Sequence, residues 1–135
     1  MNEELFKRLR WIMICAILID AFNTLWGQPG SYWNDPSTAA EHNTFVRYFA
    51  RLGAVPFIGY WVVYAAVAWG IVSLVPRRFA MVALFTFILP HYFGAASWWV
   101  YAWDYGSNAA TAYGLVLAVA FSWAFGTKDK KSDLL

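Results

Sequence analysis

Asp20, Asn23 and Thr24 stand at i, i+3 and i+4 within an otherwise apolar run, and His91 follows Pro90 in the middle of another. An ionisable side chain at membrane depth is costly and reads first as a functional residue. On a helix the first three share one face. Asp20 falls roughly 9 Å below Trp26, taken as the interface marker, at the helical rise per residue. That stripe is expected to face other helices or a water-filled vestibule. Pro90 has no N–H to donate, so a carbonyl near Thr86 loses its partner close to His91. Trp98 lies further out on the His91 face, and the small residues Gly94, Ala95, Ala96 and Ser97 allow another helix to come close. The candidates for a ligand or ion path are Asp20, Asn23, Thr24, His91, Trp98 and Asp104. A second, outer-loop polar set comprises Glu41, His42, Asn43 and Arg47.

What these residues can do is bounded by what accompanies them. Asp20 and His91 form a proton relay if their helices touch at matching depth. A single intramembrane histidine supplies one metal or haem ligand; a bis-histidine haem needs a second that faces it, and His42 is expected outside. Glu41, His42 and Asp35 lack the spacing of a known metal site. The lone Cys15 excludes an intramolecular disulfide or a multi-thiolate centre. No nucleophile elbow, phosphate loop or zincin motif occurs. No catalytic residue and no metal ligand is therefore assigned, the cofactor is left unknown, and the reading leans away from an enzyme.

The elements that position these residues follow from composition. Of the 135 residues, 61% are hydrophobic and only 13% charged, against roughly a quarter charged in soluble domains. The mean hydropathy is positive, at +0.45. A net charge of +2 gives no reason to expect a nucleic-acid partner. Apolar stretches predict an all-α polytopic membrane protein, one domain over residues 1–135. Its four transmembrane helices form a bundle with spans of about 6–26, 52–75, 79–103 and 107–126. In the first span Lys7, Arg8 and Arg10 snorkel to the headgroups. A cleaved signal peptide fits less well, because Asp20 and Asn23 fall where its apolar core should end.

Eight of the ten basic residues flank the spans on one side: Lys7, Arg8, Arg10, Arg77, Arg78, Lys128, Lys130 and Lys131. Both termini are therefore expected in the cytoplasm and loop 27–51 outside. Trp and Tyr residues, among them Trp26, Tyr32, Trp33 and Trp98, gather toward the outer interface as an aromatic belt. Within the loop, Gly27-Gln28-Pro29-Gly30 ends the first span. Asp35-Pro36 suits a helix start, and Thr38 with Glu41 offers an alternative capping box. Phe45, Val46, Phe49 and Leu52 then recur at helical spacing. They predict an amphipathic interfacial helix running to Arg51, with a bend at Gly53 and Pro56. In the fourth span Gly114, Ala118 and Ser122 form a small-residue face for close helix packing.

The pattern Asp20-x3-Thr24, Gly27-Gln28-Pro29, Tyr32-Trp33 and Glu41-x-Asn43 resembles a group of small uncharacterised prokaryotic four-helix membrane proteins. Those carry Asp-x3-Thr on the first helix and Glu-x-Asn-Pro at the start of the second; here Thr44 replaces the proline. The likeness covers the first half of the chain. It implies a bacterial or archaeal inner-membrane protein and carries no assigned activity. Four-helix glutathione-transferring enzymes agree in length and span count, but their arginine-rich loop with Asn followed by Glu is missing. Vitamin-K-reductase-like enzymes need paired cysteines, and small multidrug exporters a Glu in the first helix.

The first functional reading is a structural or accessory subunit of a larger membrane assembly, with the lipid bilayer and other membrane subunits, or further copies of itself, as partners. The alternative is a binding or transport protein for a small cation, lipid or apolar molecule, using an outward-facing vestibule. An intramembrane enzyme using Asp20 and His91 comes last.

Overall fold

The computed structural model describes residues 2–102 and 105–126, so Asp104 and the three C-terminal lysines lie outside the described residues. The described chain is all-helical: α1 Glu3–Trp26, α2 Thr44–Arg51, α3 Ala54–Leu74, α4 Ala80–Ala102 and α5 Gly106–Gly126. All but α2 are long and apolar enough to cross a membrane.

Helix α1 starts where the Asn2 side chain accepts from the Leu5 N–H at 2.8 Å, with Glu3 and Glu4 in the first turn. Cap and charge both satisfy the positive helix end. Its buried stripe runs Phe6, Leu9, Met13 and Ile17, then turns polar at Asp20 and Thr24. This spacing of three and four keeps one face turned inward along the whole helix. The facing stripe of α4 is Leu84, Ile88, His91 and Ala95. Helix α1 packs most extensively on α4 and also touches α3 and α5, whereas α3 and α4 meet little. Asp20 and His91 are thus placed on the two helices with the largest shared surface.

At one end, here called the base, cations tie the helices together. The Arg10 guanidinium lies over the Phe6 and Trp69 rings and donates to Ser73 Oγ at 2.8 Å, joining α1 to α3. Arg77 lies over Phe6 and pairs with Glu3. Arg8 pairs with Glu4 and stands over Trp123 of α5.

The opposite, loop end is built differently from the sequence expectation. Asp35 caps only a single turn of 3₁₀-helix, Pro36–Thr38, accepting from Ser37 N–H at 3.0 Å. The Ser37 hydroxyl, together with that backbone bond, holds the exposed Asp35 carboxyl below its usual range. The Thr38–Glu41 capping box does not form: Thr38 Oγ1 donates to the Asp35 carbonyl, and Glu41 Oε1 accepts from Asn43 N–H. The reason is a competing bond. Gln28 Oε1 captures the Ala40 N–H at 2.9 Å, while Gln28 Nε2 donates to the Thr24 carbonyl at 2.8 Å, so the chain leaves the helical path at Ala39. Asn43 becomes the cap instead, accepting from Phe45 and Val46. Helix α2 ends at Leu52, and Gly53 turns the chain into α3 with φ +109°, a region that disfavours residues with a Cβ.

Tyr32 departs from the aromatic belt. It is 1% exposed in the loop interior, and its hydroxyl has no partner. Gln28→Ala is expected to lower loop stability by about 1–3 kcal/mol through two orphaned backbone groups. Tyr32→Phe removes an unsatisfied hydroxyl and should leave the loop at least as stable. Limited proteolysis across residues 27–43 would separate the two; equal cleavage rates in both variants would contradict this account.

Helix α5 contacts α4 and α1 through Tyr113, Leu117, Phe121 and Ala124. Of the small-residue face, only Gly114 is engaged: a Cβ there would lie 2.9 Å from the Tyr92 hydroxyl. Ala118 and Ser122 are exposed.

Candidate functional site

Asp20 and His91 meet. Asp20 Oδ2 lies 2.8 Å from His91 Nδ1, and both residues are buried. On the other side of the ring, His91 Nε2 lies 3.2 Å from the Tyr64 hydroxyl. Three helices therefore contribute one hydrogen-bonded chain, from the α1 carboxylate through the α4 imidazole to the α3 phenol. Edge-on contacts with the Trp61 and Tyr64 rings, at 5.4 and 5.3 Å between centroids, fix the imidazole plane.

The approach of Asp20 to α4 depends on one glycine. A Cβ at Gly94 would sit 2.7 and 2.8 Å from the two Asp20 carboxylate oxygens, inside their contact radius. The small residues after His91 thus admit a side chain of the neighbouring helix. Near the loop, Gly27 packs directly under the Trp98 ring.

Because α3 and α4 meet little, a cavity of about 370 Å³ opens between them and α1. Asp20 and Thr24 form its α1 wall. Tyr60, Trp61 and Tyr64 form the α3 wall, and His91, Gly94 and Trp98 the α4 wall. Glu41, His42 and Asn43 close it from the loop, with Val46 of α2. The Phe49 and Tyr60 rings stack at 4.7 Å, seating α2 against the α3 wall.

The candidates from the sequence divide accordingly. Asp20, Thr24, His91 and Trp98 share this cavity with the separately predicted Glu41, His42 and Asn43. Asn23 is buried with its Nδ2 unpartnered and does not line the cavity. Arg47 does not line it either; its guanidinium donates to the His42 carbonyl at 3.3 Å and bears on the cavity only through that strand. Asp104 lies outside the described residues. No model of a known protein family matches the chain, and no curated protein or solved structure matches it. The site's chemistry must be read from its own residues.

Three of those residues, Tyr60, Trp61 and Tyr64, were not candidates in the sequence. Their signal was available: Tyr60 and Tyr64 stand one helical turn apart with Trp61 between them. Aromatics within a span read as packing, however, unless the polar group they reach is known. Gln28 was read only as a turn residue. Its second bond goes to Ala40, twelve positions away, which local spacing cannot reveal.

Among the described residues no three His, Cys, Asp or Glu side chains gather where they could hold a metal ion. What does gather is two carboxylates, Asp20 and Glu41, with four large aromatic rings and no Lys or Arg on the wall. Carboxylates supply negative charge and acceptor oxygens, and aromatic faces attract cations. A partly buried cavity of this kind favours a small cation over an anion or a neutral polar molecule.

Proposed function

We propose that this multi-pass membrane protein binds a small organic ammonium ion in the cavity above the Asp20–His91–Tyr64 chain. The observation that carries the reading is the cavity wall: carboxylates and aromatic rings from α1, α3, α4 and the loop, without a basic lysine or arginine. Asp20 supplies the charge and Glu41 a second carboxylate at the entrance. Tyr60, Trp61 and Trp98 supply ring faces. The bias of basic residues along the sequence supports cytoplasmic termini, the four apolar helices support a membrane bundle, and the resemblance of the first half of the chain supports a prokaryotic inner membrane. In that orientation α2 lies along the outer interface and the cavity opens outward.

The test is direct titration of purified protein with methylammonium and tetramethylammonium, followed through tryptophan fluorescence and calorimetry, with acetate as the anionic control. Saturable binding of the cations and none of acetate is expected. Equal binding of acetate, or no cation binding, would overturn the reading.

A second reading, the accessory subunit, is favoured by α5. Only Gly106, Tyr113 and Ala124 of its residues are buried, and Ala118 and Ser122 face away from the other helices. Small residues on an open helix face admit a helix of another subunit. This reading expects a native mass above that of one chain in mild detergent; a lone monomer from gently solubilised membranes would refute it.

A further inference from the structure

We infer that the cavity exchanges its cation for one proton of the Asp20–His91 pair, and that the Tyr64 hydroxyl turns with the exchange to present a donor or an acceptor to the ligand. The inference rests on the cation-binding reading above and adds to it a coupled ion.

The geometry permits two arrangements of hydrogens. When Asp20 and His91 together hold the titrating proton, Nε2 carries a hydrogen. This is true whether the shared proton sits on Nδ1 or on the Asp20 carboxyl, because Nδ1 and Oδ2 face each other and the remaining ring hydrogen must then occupy Nε2. The Tyr64 oxygen accepts from Nε2, and the phenolic hydrogen is turned toward the cavity that Tyr64 lines. When the pair has lost that proton, Nδ1–H donates to an ionised Asp20 and Nε2 has only a lone pair. Tyr64 must then donate to Nε2, and its oxygen lone pairs are turned toward the cavity.

Charge and hydrogen-bond polarity therefore change together. The protonated pair is neutral overall and presents an O–H donor, which suits no cation. The deprotonated pair carries one negative charge and presents an acceptor, which suits an ammonium N–H. In the conversion, the Tyr64 hydrogen passes to a cavity water as the Nε2 hydrogen moves to the Tyr64 oxygen. The phenol remains neutral and one proton leaves for each cation bound.

The titratable groups that share the cavity with His91 come from α1, α3 and the loop. They are Asp20 on α1, Tyr64 and Tyr60 on α3, and Glu41 and His42 across the cavity. Helix α5 contributes no charged side chain; its Tyr113, packed against Tyr92 and Trp99, also feels the Asp20 charge.

The experiment uses the intact protein in weakly buffered detergent solution with a pH-indicating dye and methylammonium as the probe. Proton release per bound cation should approach one at acid pH and fall to zero at alkaline pH. Across the range in which the pair loses that proton, affinity should climb by up to about tenfold per pH unit. Binding without proton release would overturn the exchange and leave the cation reading intact; no binding would overturn both. Tyr64→Phe should still release a proton on binding, because the pair is unaltered. Its preference for methylammonium over tetramethylammonium should fall about tenfold, the value of one hydrogen bond to a charged group. A Tyr64→Phe variant with the full preference would remove Tyr64 from the inference.

Discussion

Gly94→Ala is expected to weaken the proposed cation binding more than tenfold while leaving the helices folded. The added methyl would stand 2.7 Å from Asp20 Oδ1 and 2.8 Å from Oδ2. These atoms end a short side chain with only two torsions, so Asp20 can rotate away at small steric cost. Rotation, however, takes Oδ2 off His91 Nδ1, its only hydrogen-bond partner among the described residues. The expected stability loss is about 1.5–3 kcal/mol, the value of one hydrogen bond involving a charged group. Methylammonium affinity should fall by more than tenfold, because the carboxylate no longer bears on the cavity. Thermal unfolding and ligand titration on the same preparation check both halves. Undiminished binding would show that Gly94 does not hold Asp20 in place.

Asp20→Ala is expected to have the larger effect on the fold. Asp20 is 8% exposed and His91 7% exposed. Removing one member of a buried, hydrogen-bonded pair leaves the other without compensation, at a cost of about 3–5 kcal/mol. The loss comes from a buried imidazole that keeps neither a counter-charge nor an acceptor for its Nδ1–H. Asp20→Asn keeps an acceptor for Nδ1–H and should recover most of the stability but none of the binding. That split distinguishes a residue needed for its charge from one needed for its shape. If Asn and Ala behave alike in both assays, the charge is not what the cavity uses.

Much of this site was legible in the sequence, for a physical reason. Placing a carboxylate at membrane depth is expensive enough that Asp20 and His91 announce themselves by position alone. Helical periodicity puts Thr24 on the Asp20 face, and the residues around Gly94 signal close approach. Their pairing requires that the two helices touch at matching depth, and α1 packing on α4 provides it. What spacing could not show was the third helix. Tyr64 looks like any aromatic within a span until His91 Nε2 is found beside it. The loop was misread for a similar reason. Thr38 and Glu41 have the spacing of a capping box, yet Gln28 takes the Ala40 N–H first, and a single distant bond outranks a local preference.

The contrast between the two ends of the molecule has a mechanical consequence. At the base, three arginines rest on rings of Phe6, Trp69 and Trp123, and two of them also bridge to Ser73 and Glu3 across separate helices. At the loop end, α3 and α4 part around the cavity, and the covering segment is tied to α1 through one glutamine. This distribution of contacts predicts a molecule stiff where α1 begins and compliant where the cavity opens, like a pair of forceps joined at the handle. Backbone amides of the first turns of α1 and the last turns of α3 should exchange their hydrogens far more slowly than those of residues 39–53. Any widening that admits a ligand then swings the loop end of α3 while the joined base stays still.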